Sequence, residues 1–373
     1  MNLNLRRLEK RFDLQTYIEQ YDFKMVGENA VMHCPQCERD DKLYVLMQDK
    51  RDERGETKPR GTWICYYCND QEEGGGAGRT CLSLIEWLED VEWLDAVRRL
   101  AEGGTSADAD FIGAMEKTLA ELDDDEDKDE APVPTIQLPR EFIRIDERRY
   151  PPYVAERGIS VDRAMRFRLG YCKSGYYENR LIAPVYFEQR LVGFQARYMK
   201  KKPPVCTAHE LPCSICGGDD EHKRLKKTKH AKGAKMSRVL YNYDEAREAN
   251  RLVLVESPWA VIKLGRCAAG TFGKNLSASQ LELVMKSDAK EVVIIWDRDA
   301  DHAPGKGGYD KSVALAERLA QFVRVRAVKL GAKVDIDDLS TREIGELIAR
   351  TKALDVNAAW AEKVARRVGW IED

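Results

Sequence analysis

The sequence predicts an α/β multidomain chain: a small cysteine-bearing unit of strands and helices, then a larger unit that contains a parallel α/β sheet. Three observations predict it. Two C-x-x-C pairs lie within the first 70 residues, the segment DDDEDKDE interrupts the chain at 123–130, and beyond it short β-branched runs end in acidic residues and are each followed by a helical stretch. Strands that alternate with helices argue a parallel sheet.

Residues 1–103 form one small domain. It has an amphipathic helix over 14–21, the two cysteine pairs, and apolar residues at helical spacing over 81–102. Residues 104–139 turn to Gly, Ala, Ser, acids and a P-V-P. That composition buries little and predicts a mobile tether with at most one short helix at 111–122. Residues 140–250 open a second domain, with a helix over 153–166, paired strands at 181–187 and 191–197, a helix at 244–250, and a basic insertion at about 200–236. Residues 251–340 carry strands at 252–256, 291–297 and 323–329 with helical stretches between them, and 341–373 read as helix.

With 373 residues, 43% hydrophobic and 34% charged, the chain can bury the cores of two or three ordinary globular domains. It contains no run of eighteen apolar residues, and residues 1–10 alternate leucine with asparagine and arginine where a signal peptide has an apolar core. A cytoplasmic protein with no membrane partner is expected. The ten cysteines come partly as C-x-x-C pairs, a spacing suited to metal rather than to disulfides, which fits a reducing compartment. The net charge of −3 hides an uneven distribution: 123–130 is acidic, whereas 200–235 is rich in lysine. The global charge therefore does not exclude a nucleic-acid partner.

Cys34-Pro-Gln-Cys37 and Cys65-Tyr-Tyr-Cys68 supply four thiolates in two knuckles, the donor set of a tetrahedral structural zinc, with each knuckle giving two ligands from one tight turn. The 27 residues between the pairs are long for a zinc ribbon, and 48–61 reads as an extended hairpin tip between strands at 43–47 and 62–64. His33 is a bystander, because four cysteines already close the site, and Cys81 reads as a small buried residue on the following helix. Cys206-Thr-Ala-His209 and Cys213-Ser-Ile-Cys216 form a second candidate zinc set within the basic insertion, with His222 and His230 competing for the fourth position. Unpaired cysteines in a flexible loop are the alternative reading. The lysines around them suit phosphate contact.

Leu252-Val-Leu-Val-Glu256 and Val292-Val-Ile-Ile-Trp-Asp297-Arg-Asp299 place acids where buried strands run out, and Asp335-Ile-Asp337 follows the last predicted strand. Acids then converge at the carboxyl edge of the sheet, the usual place for chemistry in such folds. Hard oxygen ligands in this number suit magnesium or manganese together with substrate phosphates. The segment at 270–275, GTFGKN, lacks the first glycine and the final Ser/Thr of a phosphate loop.

These segments resemble a Toprim domain: VLVESPWAVIKL, GTFGKNLSASQ, VVIIWDRDADHAPGKGGYDKSVALAERL and KVDIDDL. Upstream, RGISVDRAMRFRLGYCKSG, NRLIAPVYFEQRLVGFQARY and RVLYNYDEA are similar to the polymerase core of DnaG-type and phage DNA primases. MHCPQC, WICYYC and the helical stretch after them resemble the zinc-ribbon domain of the same family. The resemblance implies a zinc-ribbon DNA-reading domain and a primase-type RNA polymerase core built on a Toprim sheet, which makes short RNA primers on single-stranded DNA from ribonucleoside triphosphates. It implies that Glu256, Asp297 and Asp299 take the catalytic positions, with Asp335 and Asp337 as outer metal acids. Arg180, Arg197, Lys235 and Arg238 fall on the family's basic ridge. Base contacts fall to the ribbon near Lys50, Arg51, Arg54, Lys58 and Trp63. One Zn2+, or two if the second cluster binds, and Mg2+ or Mn2+ are the implied cofactors.

The chain departs from that family at its first knuckle, which is C-x-x-C where DnaG primases usually have C-x-x-H. The 206–216 cluster and the end soon after the Toprim stretch are further departures. They point to a stand-alone phage or plasmid primase with a separate replicative helicase. A Toprim-type nuclease is the rival enzyme, disfavoured by the primase-like upstream half, and a non-catalytic zinc-dependent DNA-binding module is disfavoured by Glu256, Asp297 and Asp299. A topoisomerase would need a further domain carrying a nucleophilic tyrosine.

Overall fold

A computed structural model describes residues 3–51, 55, 57–70, 76–122, 132–199, 227–297, 307–331 and 334–354. The chain divides into two compact units, one containing Met1–Asp123 and Arg318–Val323, the other containing Asp124–Glu317 and Arg324–Leu354.

The first unit is built on an antiparallel five-stranded sheet in the order Phe23–Val26, Asn29–Cys34, Arg39–Leu46, Trp63–Cys65, Ala77–Gly78. Gly27 has φ +62° in the two-residue connection between the first two strands, a conformation glycine adopts at little cost. The tip expected at 48–61 is a short pair of strands, Lys50–Arg51 with Thr57–Lys58. Trp63 and Trp87 pack with their rings tilted by 35° and centroids 4.9 Å apart, and Trp63 Nε1 donates to Ser83 Oγ at 3.1 Å. Two helices, Cys81–Glu89 and Trp93–Leu100, replace the single stretch expected at 81–102, because Asp90 turns left-handed (φ +51°) and ends the first. The helix at Cys81 is capped twice. Thr80 and Ser83 form a capping box, and the Glu9 carboxylate accepts the N–H groups of Cys81 (3.0 Å) and Leu82 (2.8 Å). Cys81 is fully buried.

The tether expected over 104–139 is corrected at 106–122. Ser106–Leu122 is a 17-residue helix whose buried residues Asp108, Phe111, Met115 and Thr118 recur at helical spacing. Asp108 is 1% exposed and accepts hydrogen bonds from Arg7 (2.8 Å) and Arg11 (2.7 Å) on the helix Leu3–Arg11, so the segment docks on the first unit. Downstream, Ile136 N–H donates to Leu191 O at 2.9 Å, and Ile136 and Leu138 pack against a core of the second unit.

The second unit holds two sheets. The antiparallel one runs Thr228–His230, Arg190–Tyr198, Arg180–Phe187, Gly170–Cys172, Phe142–Arg144. Its central hairpin turns through Glu188 (φ +51°) and Gln189 (φ +63°), and the Asp244 carboxylate takes both their N–H groups at 3.0 and 2.9 Å, offsetting the strain. The helix expected at 153–166 is split into Pro152–Glu156 and Val161–Arg166.

The other sheet is parallel, in the order Ala268–Gly270, Arg251–Val255, Glu291–Ile295, Arg324–Ala327. All five residues of Glu291–Ile295 are buried, as expected of a strand covered on both faces. From Arg251–Val255 the chain goes to one side of the sheet and returns on the other for Glu291–Ile295, so the strand order reverses between these two strands. That is where crevices form at the carboxyl ends of open α/β sheets. Among the described residues, no helix is long and apolar enough to cross a membrane.

Candidate metal centre and acidic site

In the first unit Cys34 ends the strand Asn29–Cys34, Cys65 ends the strand Trp63–Cys65, and Cys68 lies one turn on, in the short helix Tyr66–Asn69. The four sulfurs of Cys34, Cys37, Cys65 and Cys68 lie within 4.8 Å of one another, with Cys34–Cys68 at 3.8 Å and Cys37–Cys65 at 3.7 Å. Sulfurs bonded at about 2.3 Å to a tetrahedral zinc stand about 3.8 Å apart, so the spacing fits that ion. Burial, followed by hydrogen bonds with Cys65, Cys37 and Cys34, pushes the Cys68 thiol up. Four thiolates therefore share this space at neutral pH only around a cation. His33 pairs with Asp40 at 3.0 Å and stands outside the group.

The ribbon residues expected to touch DNA divide. Trp63 is 4% exposed and held by Trp87 and Ser83, which corrects its assignment: it belongs to the core. Lys50, paired with Glu28 at 2.6 Å, and Arg51 and Lys58 are exposed, and Arg54 lies outside the described residues. The exposed aromatics are instead in the second knuckle: Tyr66 is 52% exposed and packs edge-on against Tyr44, while the Arg39 guanidinium stands 3.7 Å from the centroid of Tyr67.

In the second unit Glu256 and Asp297 leave the two strands that flank the reversal of strand order. Asp335, Ile336 and Asp337 come up beside them, with the Ile336 N–H donating to Asp297 Oδ1 at 3.4 Å. Burial, and then the nearby Asp335 charge, raises the Asp297 carboxyl above its ordinary value, with Asp337 adding to the shift and Lys274 opposing it. A carboxyl shifted by burial and like charge at a sheet edge marks a functional-site candidate. Asp337 is paired with Arg157, and its carbonyl accepts from Lys263. Trp259, Lys263, Arg157 and Asp337 line a cavity of about 410 Å³ here. Asp299 lies outside the described residues. Among those described, the acids do not close into a cage as the four cysteines do. An open set of carboxylates suits an ion that keeps waters and substrate oxygens, and their hard oxygens fit magnesium in kind.

Arg180, expected on the family's basic ridge, is buried instead: it is 2% exposed and donates to the carbonyls of Ala196 and Lys227, each at 3.3 Å, beneath the Tyr198 ring. Arg197 is half-buried with its guanidinium 5.9 Å from the Trp259 ring centroid, and Lys235 and Arg238 are half-buried around the turn Met236–Arg238. The most exposed aromatic of this unit was not anticipated. Tyr176 is 73% exposed, and Lys229 Nζ stands 3.8 Å from its ring centroid. Only the exposure of Tyr176 distinguishes it, and sequence does not reveal that. Cys206, His209, Cys213, Cys216 and His222 lie outside the described residues, whereas His230 bonds Gln195 at 3.0 Å.

A four-thiol zinc-type centre in one unit and acids at the switch point of a parallel sheet in the other define a metal-centred α/β protein with the layout expected of a primase. The sequence comparison agrees: over 335 residues the chain is 22% identical to a DNA primase of Myxococcus xanthus, a match spanning 79% of this chain and 50% of that protein. The chain thus spans about half the length of the curated relative it matches. No family model matches it. Similar solved structures include the Aquifex aeolicus primase, comprising zinc-binding and RNA polymerase domains (18% identity, 95% of this chain and 87% of that one, TM-score 0.42). Another is the primase fragment of the bacteriophage T7 primase-helicase protein (12% identity, 85% and 98%, TM-score 0.36). A third is a DnaG primase catalytic domain bound to ssDNA (16% identity, 69% and 83%, TM-score 0.42). With TM-scores below 0.5, the functional reading rests on the sequence match and on the site.

Proposed function

We propose that the chain is a DNA-dependent RNA primase that joins ribonucleotides on a single-stranded DNA template. The observation that carries this is the match to a DNA primase over 79% of the chain. A match of that extent exceeds either compact unit, so it takes in residues of both.

Glu256, Asp297 and Asp299 are the proposed catalytic acids, with Asp335 and Asp337 completing the set. Bound Mg2+ or Mn2+ would lower the pKa of the primer 3′-hydroxyl and steady the departing pyrophosphate. The chain's own part is to present carboxylates from adjacent strand ends. Asp337, tied by Arg157, is held in one orientation. Arg197, Lys235 and Arg238 are the proposed phosphate contacts, and such contacts position a template without reading it. Tyr176 with Lys229, and Tyr66 and Tyr67 with Arg39, suit base stacking beside a cation, which is how single strands are held. The thiol cluster fixes the ribbon that would choose the start site. A second zinc at 206–216, a separate helicase partner and a phage or plasmid setting belong to the same proposal.

The test is synthesis itself. The zinc-loaded chain, incubated with magnesium, labelled ribonucleotides and mixed single-stranded templates, should yield short RNA on a sequencing gel. Asp297→Asn should abolish it with an unchanged circular-dichroism spectrum. Template cleavage in place of synthesis would favour the nuclease reading, and full activity of Asp297→Asn would remove the acid assignment.

A further inference from the structure

We propose that Lys274 is a resident counter-ion of the acidic site: in the metal-free protein its ammonium pairs with Glu256 and offsets part of the negative charge that Glu256 and Asp297 bring, and it competes with a divalent cation for that place. The inference rests on the reading of these acids as metal ligands.

The side chain is delivered by a constrained loop. After the strand Ala268–Gly270, Thr271 is anchored by its N–H, which donates to Val255 O at 2.9 Å, and by its hydroxyl, which donates to Gly273 O at 2.6 Å, and Gln280 Nε2 donates to Thr271 O at 3.2 Å. Phe272 then takes φ +61°, a left-handed conformation that is costly for an aromatic residue. Its ring lies edge-on to His230 (5.9 Å) and Tyr241 (6.4 Å), contacts that hold it there. The turn sends Lys274 back into the site. Its side chain is 17% exposed, and Nζ stands 3.8 Å from Glu256 Oε2.

Its stem runs over Gly308, where an added Cβ would meet Lys274 Cδ at 3.4 Å and the Asp297 carbonyl oxygen at 2.1 Å. The lysine therefore lies between the ends of the two strands that carry Glu256 and Asp297. By contrast, Lys311 donates to the exposed Asn275 at 3.1 Å and stays at the rim. An ammonium is a compact point charge on a flexible four-carbon stem, and among carboxylates it takes the place of a cation. Like charges gathered at a partly buried sheet edge repel, and the lysine relieves that repulsion until a metal does so. A divalent ion must then displace the ammonium or share the carboxylates with it, so the site binds metal less tightly than its acids alone would allow.

Mn2+ binding, followed by electron paramagnetic resonance of the free ion in metal-depleted buffer without nucleotide, tests this on the zinc-loaded full chain. Removing one positive charge this close to a divalent site should tighten Mn2+ binding about tenfold or more in Lys274→Met, a change of about 1.4 kcal/mol. Lys274→Arg should stay close to wild type, and Lys274→Gln serves the same comparison if the methionine variant does not fold. Mn2+ binding that Glu256→Gln removes, but that neutralising Lys274 leaves unchanged or weakens, overturns the counter-ion role alone. If the wild-type chain has no Mn2+ site that depends on Glu256, the assignment of the acids fails instead.

Discussion

Asp108→Ala should release the helix Ser106–Leu122 from the first unit. The carboxylate accepts from Arg7, Arg11, the Thr105 N–H (2.7 Å) and the Thr105 hydroxyl (2.8 Å), and alanine removes all four bonds. The Thr105 bonds act as a helix cap, worth about 1 kcal/mol. The two arginines are 46% and 41% exposed, so their pairs contribute about 0.5 kcal/mol each. The local loss is then about 2 kcal/mol, or an increase of about thirtyfold in the exchange of amides 106–122. Hydrogen–deuterium exchange with peptide resolution measures it, and amides of Glu291–Ile295 should be unaffected. Burial works against the charge of Asp108, but the Thr105 N–H and Arg11 outweigh it and hold the carboxyl well below the ordinary range. The contribution is therefore complete above the unfolded value near 4, and it fades as pH falls through the still lower folded value. Unchanged exchange at 106–122 in the alanine variant at pH 7 would refute the docking.

Three other perturbations separate structure from chemistry. Cys68→Ser should cost the chain one zinc by elemental analysis and unfold the ribbon while leaving the parallel sheet protected in exchange; an unchanged zinc content would exclude the four-cysteine site. Glu291→Ala should destabilise the second unit by about 3 kcal/mol in urea unfolding, because the buried carboxylate accepts from Arg251 (2.6 Å) and Arg326 (2.8 Å) and pairs with Arg324 (3.2 Å), leaving three guanidinium groups around an empty place. A loss below about 0.5 kcal/mol would class the cluster with ordinary surface pairs. Gly308→Ala should suppress primer synthesis more than stability, since its Cβ would push against the Asp297 carbonyl, and unchanged synthesis would mean that Asp297 tolerates displacement.

The features legible in the sequence are those whose signal is local. Paired cysteines need only a tight turn, and acids after β-branched runs fall at strand ends wherever such runs form a parallel sheet, so Cys34, Cys37, Cys65, Cys68, Glu256 and Asp297 follow from spacing. The misread features depend on partners distant in sequence. Asp108 lies in a stretch rich in acid and alanine that reads as solvated, and it is buried only because Arg7 and Arg11, about 100 residues earlier, neutralise it. Arg180 begins a strand whose first six residues are all buried, so the alternation that separates inward from outward positions is missing there. Trp63 begins a strand of three residues, too short to show which face it presents. Lys274 sits in a segment that fails the phosphate-loop pattern, and its spacing offers no other motif. It matters through a left-handed phenylalanine two residues before it and a glycine 34 residues after it, and neither has meaning until the fold brings Glu256 and Asp297 to adjacent strand ends. Charge that compensates buried charge is chosen by tertiary geometry, and for that reason the acids of this site could be read from the chain while the cation among them could not.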